Sequence, residues 1–365
     1  GDPVGSDGEP TLKLWLLPDS LNLSDGEDVL TWNDYSGNDN DLAAESFYSP
    51  VFRSDAVNSH DYLEFSKNAN RIVRNPFVMP ADAVTVFMVL RTGSSGDDAL
   101  ISYEKSGSPN NYLLYIPQSL RTRIENNENN SGVSVNNGNW RIFTHQWRSS
   151  DGRLMIHVDG SQEQSTTHQV GVHLAENASL AVGGEQDGAD SGYNESQDYD
   201  GDIAELIMYG SSLKQTERTV IENYLAQKYG LDANLAVDYY QPADPSYIAA
   251  LTGMGRESDG ITDASCQGLF ITQNGGFENG EYIFTAHDGT DNSINSSPNT
   301  LHTEVEATWQ RDWYLDKSGT VNANLAFDMS EGINGDFPAN IYNYRLMYRS
   351  SASDPYDTLE VAAKG

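Results

Sequence analysis

The chain has one cysteine in 365 residues, Cys266, so no intrachain disulfide can form and the small stapled secreted folds are excluded. Basic residues are also scarce, with 21 Lys and Arg against 54 Asp and Glu and a formal net charge of -33. A surface that negative repels phosphates, which makes nucleic acid and anionic lipid poor partners. No apolar run approaches a membrane span, and no signal peptide opens the chain. Neither a G-x-S-x-G elbow, a P-loop nor a dinucleotide fingerprint is present. The seven histidines are scattered without close pairing, which fits zinc badly. Cys266, with His287 and His302 further along, reads as an idle thiol rather than a nucleophile.

What is abundant is turn chemistry. Thirty-two glycines, 20 tyrosines and many Asn, Asp and Ser residues describe a turn-rich β protein. Short apolar runs of strand length recur at 12–17, 84–90, 112–116, 154–158, 180–182 and 203–209, which suggests a sandwich or jelly roll. One segment breaks the pattern. "SSLKQTERTVIENYLAQKYGL" (211–231) puts Val220, Ile221, Tyr224, Leu225 and Tyr229 on one helical face. Ser212 with Gln215 predicts a capping box, and Gly230 a C-cap. A second β set follows at 268–272, 281–285, 308–315, 322–327 and 344–348. The resulting division is 1–10 as a linker or added tail, 11–233 as the first domain, 234–247 as a linker and 248–365 as a second domain.

Between residues 183 and 205 the chain reads "GGEQDGADSGYNESQDYDGDIAE", with eight carboxylates and no Lys or Arg. Such a run is either a solvated loop or a cation site. Calcium takes about six to eight oxygens from carboxylates, amides, backbone carbonyls and water, and a Glu-Gln-Asp run at a strand end supplies the three protein types.

The opening "LKLWLLPDSLN…VLTWNDYSGNDNDL" and the ending "GDIAELIMYGSSLKQTERTVIENYLAQKYG" resemble laminin-G-like or concanavalin A-like modules of bacterial surface proteins, over about residues 11–233. That resemblance implies an all-β, two-sheet jelly roll with one closing helix, followed by a second, smaller β-sandwich domain. Within it, "FTHQWRSSDGRLMIHVDG" and "LAVGGEQDGADSGYNESQDYDGDIAELIMY" are similar to the core and the calcium loop of the pentraxins. "ISYEKSGSPNNYLLY" resembles their strand pair with an Asp-Asn loop, one residue longer here.

The resemblance implies a calcium site. Its ligands would be the Glu185 and Asp187 carboxylates, the Gln186 backbone carbonyl, the Gln197 side chain and the Asn111 amide oxygen. Asn110 and Asn194 stand where the family has acids, and each replacement removes a negative charge. Neighbouring Glu195 or Asp190 would compensate at the loop. Phe87 and Thr144 occupy the positions of the vertebrate family's disulfide. The function implied is calcium-dependent binding of a carbohydrate or an anionic group, in adhesion by a secreted or cell-surface protein.

Two other readings are open. In one, the module is a structural spacer whose calcium only stiffens a loop. In the other, Asp200, Asp202 and Glu205 form a glycoside hydrolase trio, although a strand's period of two puts Glu205 on the opposite face unless a bulge intervenes. "WNDYSGNDND" (32–41) reads as an Asx-rich turn, and the loops near 288–296 are a weak further cation candidate. Trp309, Trp313 and Tyr314 read as core. "GMGRESDG", "FTAHDG" and "RDWYLDKSG" resemble a β module that follows laminin-G-like domains in bacterial exoproteins, which implies fold rather than function.

Overall fold

The computed structural model describes residues 11–67, 70–262, 264–266, 268–296, 307–327, 345–351 and 354–359. Residues 1–10, His302 and Tyr344 lie outside these. Two antiparallel eight-stranded sheets build the first part of the chain. The first sheet runs Ser161–Thr167, Arg153–Val158, Arg141–Arg148, Ala83–Arg91, Gly201–Tyr209, His60–Phe65 and Val51–Val57, with Leu12–Leu16 also paired to Gly201–Tyr209. The second runs Asn127–Asn130, Arg121–Ile124, Ser108–Tyr115, Ala99–Lys105, Asn177–Val182, Ile72–Val78, Leu42–Ala43 and Thr31–Trp32.

The alternation of side chains along each strand decides what lies between the sheets. In "AVTVFMVLR", Val84, Val86, Met88 and Leu90 enter the inter-sheet core, while Phe87 and Val89 enter a second cluster on the outer face of the first sheet. Burial on both faces explains why this strand reads as a continuous apolar run. Trp32, Trp147, Tyr103 and Tyr112 fill the inter-sheet core. His145 also lies buried there, and both its ring nitrogens are engaged, Nδ1 by the Tyr112 hydroxyl at 2.9 Å and Nε2 by the Thr122 hydroxyl at 3.1 Å.

The helix α1 spans Gln215–Tyr229 and begins two residues later than the Ser212 cap predicts. Residues 211–213 are tied to the first sheet instead. Thr85 Oγ1 donates to the Ser211 carbonyl at 2.6 Å and accepts the Leu213 N–H at 3.2 Å. Glu217 then caps the helix by accepting the Lys214 N–H at 2.6 Å, and Gly230 ends it at φ 63° as expected.

The helix is buried nearly all round. Val220, Ile221, Tyr224 and Leu225 share one cluster with Phe87, Val89 and Ile207 of the first sheet and with Leu251, Tyr282 and Phe284 beyond it. Residues 239–240, in the expected linker, belong to the same packing: Tyr239 stacks on Tyr282 at 4.6 Å, and Tyr240 is fully buried beside Phe284.

The remaining strands form smaller sheets. A four-stranded sheet holds Gly260–Thr262, Ala249–Glu257, Glu281–His287 and Trp313–Ser318, and a three-stranded one holds Ala264–Cys266, Leu269–Gln273 and Ala323–Phe327. The run expected as one strand at 308–315 is two, Thr308–Trp309 and Trp313–Ser318, separated by the polar residues 310–312. Trp309 and Trp313 are half-buried and pack edge-to-face at 5.7 Å.

Candidate metal centre

On the Ala99–Lys105 strand, Ile101 and Tyr103 face the inter-sheet core, so Ser102 and Glu104 take the outward face of the second sheet. Ser179 is paired with Glu104 from the neighbouring strand. Outward polar residues would ordinarily meet water, yet all three are fully buried. The acidic loop that follows Val182 folds back over them.

Two glycines make the reversal possible. Gly183 adopts φ +84°, and a Cβ there would lie 2.5 Å from the Phe65 ring. A Cβ on Gly184 would sit 2.9 Å from Arg71 Cβ. Gln186 then clasps the loop to the sheet. Its amide donates to the Ser179 carbonyl at 2.8 Å and the Ser102 carbonyl at 3.1 Å, and its Oε1 accepts the Asp190 N–H at 2.9 Å. With the side chain engaged in this way, Gln186 has only its backbone carbonyl to offer an ion.

The other expected ligands fall into three groups. Glu185 is buried and Asp187 is exposed, flanking the Gln186 clasp. Asn194 and Gln197 lie at the far end of the loop, bonded to each other from Asn194 Nδ2 to Gln197 Oε1 at 2.6 Å. Asn110 adopts the left-handed region at φ 55°, and its Oδ1 is buried without a hydrogen-bond partner. Asn111 is engaged on both sides of its amide: it donates to Glu125, and its Oδ1 accepts the Ala175 N–H at 2.8 Å. Glu195 and Asp190 are exposed, and Asp190 accepts the Tyr193 hydroxyl at 2.9 Å.

The site is electrostatically unbalanced. Burial, reinforced by the Asp187 charge, pushes the Glu185 carboxyl up to about 7, against the pull of Arg123. Glu104 is pushed up to about 8, chiefly by burial. The backbone N–H groups of Asn110 and Asn111 favour its charged form, while Glu185 and Asp187 oppose it. Asp198 is raised to about 7 by burial, with Arg71 lowering it and Glu195 and Asp98 raising it. Arg71 is itself held between the Tyr48 and Tyr193 rings, at 3.7 and 3.9 Å from their centroids.

The orphaned atoms test whether a cation suits this place. Both carboxylate oxygens of Glu104, both of Asp198, Asn110 Oδ1 and Ser179 Oγ are buried without hydrogen-bond partners. Buried polar groups are ordinarily satisfied, and burying an ionised carboxylate alone costs several kcal/mol. The donors are all hard oxygens, of carboxylate, amide, hydroxyl and carbonyl types, which suits calcium and not zinc. Among the described residues, no three His, Cys, Asp or Glu side chains converge as a metal-binding group, so the carboxylates stand apart from one another. Glu104, Asp198 and Ser179 are absent from the ligand set that sequence resemblance implies. Asp198 at least lies within the acidic run 183–205, whereas the sequence signal for Glu104 is its period-two placement with Ser102 at the end of an apolar run.

Residues 63–236 match the Pentaxin family. Over that span the chain is similar to the pentraxins. C-reactive protein 1.4 of Limulus polyphemus is 26% identical over 136 residues, covering 37% of this chain and 52% of the relative. The rat protein named Sushi, von Willebrand factor type A, EGF and pentraxin domain-containing protein 1 is 24% identical over 173 residues, 46% of this chain and 5% of its own length. The chain thus spans about half of the first relative and a small part of the second. Among solved structures, the heptameric SAP-like pentraxin of Limulus polyphemus aligns with a TM-score of 0.35 and 18% identity, over 40% of this chain and 76% of that one. Phe87 and Thr144, the positions at which the resemblance implies the vertebrate family's disulfide, are direct cross-strand partners.

The hydrolase trio is not assembled. A bulge between Ile203 and Glu205 does bring Glu205 to the helix side of the first sheet. There it is fully buried, accepting bonds from Trp15 Nε1 at 2.8 Å, Tyr229 at 2.8 Å, Lys228 at 3.0 Å and Tyr224 at 3.2 Å. Asp202 is paired with Arg91 at 2.7 Å, and Asp200 is exposed. At 32–41 the expected turn forms, with Asp34 accepting the backbone N–H groups of Trp15, Ser36 and Asn40.

Proposed function

We propose that residues 11–233 form a calcium-dependent ligand-binding module of a secreted or cell-surface protein. Glu185, Asp187 and the Gln186 carbonyl would hold the ion, with Asn110, Asn111, Asn194 and Gln197 contributing amide oxygens. The observation that carries the reading is the set of buried, unpaired oxygens beneath and within a loop that the chain folds back and clasps. When bound, calcium supplies a positive charge in a strongly negative surface and leaves coordination positions for a ligand's oxygens. Carbohydrate hydroxyls, carboxylates and phosphates are the ligand classes that such positions accept. The chain's own residues do the positioning: Gln186 fixes the loop on the sheet, and Arg71 between Tyr48 and Tyr193 braces its outer side. Adhesion through such a ligand is the corresponding role within a larger chain.

The test is a calorimetric calcium titration of the chelator-treated protein beside a Glu185→Gln/Asp187→Asn variant. Binding by the wild type that is lost in the variant supports the module. Equal titrations, or none, would return the loop to a solvated acid cluster.

A further inference from the structure

Glu104 is the one acid of this region that lies on the sheet itself rather than on the loop or the neighbouring turn. Its strand position sets it on the same outward face as Ser102, whose Oγ accepts the Gln186 N–H at 3.3 Å. The Glu104 side chain therefore lies under the clasped loop, and Glu185 and Asp187 are its charged neighbours. It is fully buried, and neither carboxylate oxygen has a partner. Two more unpartnered oxygens belong to its immediate surroundings. Ser179 is its cross-strand partner, and Asn110 is one of the two residues whose backbone N–H groups favour its charged form. Among the described residues, no Lys or Arg side chain pairs with it.

A carboxylate kept in such a place needs a counter-charge, which the neutral Ser179 hydroxyl and the Asn110 and Asn111 N–H groups do not supply. The chain also carries Asn110 and Asn194 where the resembling family carries acids, so the expected ligand set is two charges short. We propose that Glu104 is a calcium ligand that replaces the carboxylate missing at Asn110, so that the negative charge enters the site from the sheet instead of from the turn. The inference rests on the calcium-binding reading above. The site then retains three acids, Glu104, Glu185 and Asp187, around the ion, with Asn110 Oδ1 as a neutral donor. Occupancy draws these carboxylates together and relieves the mutual repulsion that holds them apart in the free chain.

The experiment uses the full chain, stripped with chelator and titrated with calcium chloride by calorimetry, with melting temperatures recorded in chelator and in calcium. The variants are Glu104→Gln, Asn110→Asp and the two combined. Glu104→Gln is expected to weaken calcium binding about tenfold or more, while its melting temperature in chelator is equal to or above that of the wild type. The combined variant is expected to recover most of the affinity, because Asn110→Asp returns a carboxylate. Wild-type affinity in Glu104→Gln, with binding still abolished by Glu185→Gln/Asp187→Asn, overturns the role of Glu104 alone. A lower melting temperature in chelator, with no rescue by Asn110→Asp, assigns Glu104 a structural part and also overturns it. A wild type that takes up no calcium removes the underlying reading instead.

Discussion

At the scale of single residues, the first part of the chain depends on polar groups buried in pairs or networks, and His145 among them has a pH signature. His145 sits in the inter-sheet core with both nitrogens occupied, and burial holds its pKa down at about 3, with a smaller push from His168. The unfolded chain takes up this proton near pH 6.5 and the folded chain refuses it, so stability from His145 is complete above about 6.5 and is lost as pH falls toward 3. The slope is about 1.4 kcal/mol per pH unit for one such group. Melting temperatures in chelator between pH 7.5 and 4.5 should therefore fall less steeply in His145→Gln than in the wild type. Parallel curves would show that the imidazole is not kept neutral. The raised carboxylates Glu104, Glu185 and Asp198 act with the opposite sign, destabilising the free chain as they ionise, which is why the difference between wild type and variant is the quantity to read.

At the scale of the element, the acidic loop is a lid built on one side chain. Gln186 makes two buried bonds to sheet carbonyls and receives a part-buried one from the loop. Gln186→Ala is expected to lower stability by about 2–3 kcal/mol, from three lost bonds and two uncovered carbonyls. It is also expected to weaken calcium binding although no ligand atom is deleted. Denaturant unfolding and calorimetry on the same preparation check both, and unchanged stability would refute the clasp. The loop's composition was readable in the sequence, as were the strands around 84–90 and 203–209, because apolar runs bounded by turn residues admit few alternatives. The start of α1 was not readable, since the tie between Thr85 and residues 211–213 joins positions more than a hundred residues apart. Glu104 was hidden for a related reason. In "ISYEKSG" a glutamate before a turn looks like a solvated strand end, and only the fold-back of a distant loop buries it.

At the scale of the molecule, the helix belongs to two layers at once. Its apolar residues meet the outer face of the first sheet and the Leu251, Tyr282 and Phe284 surface of the next. Two units that share so much buried surface unfold together, so calorimetry of the full chain should give a single endotherm. Two resolved transitions would show that the shared cluster does not couple them. The same arrangement limits how the first domain can be borrowed. A copy excised at 233 takes its candidate ion site along, because that site lies on the second sheet, away from α1. It leaves behind the Leu251, Tyr282 and Phe284 surface that shares the helix's apolar cluster. Recombination, in the laboratory or in a genome, would therefore tend to move the two units as one cassette, and any new neighbour would have to bring its own apolar face to the helix.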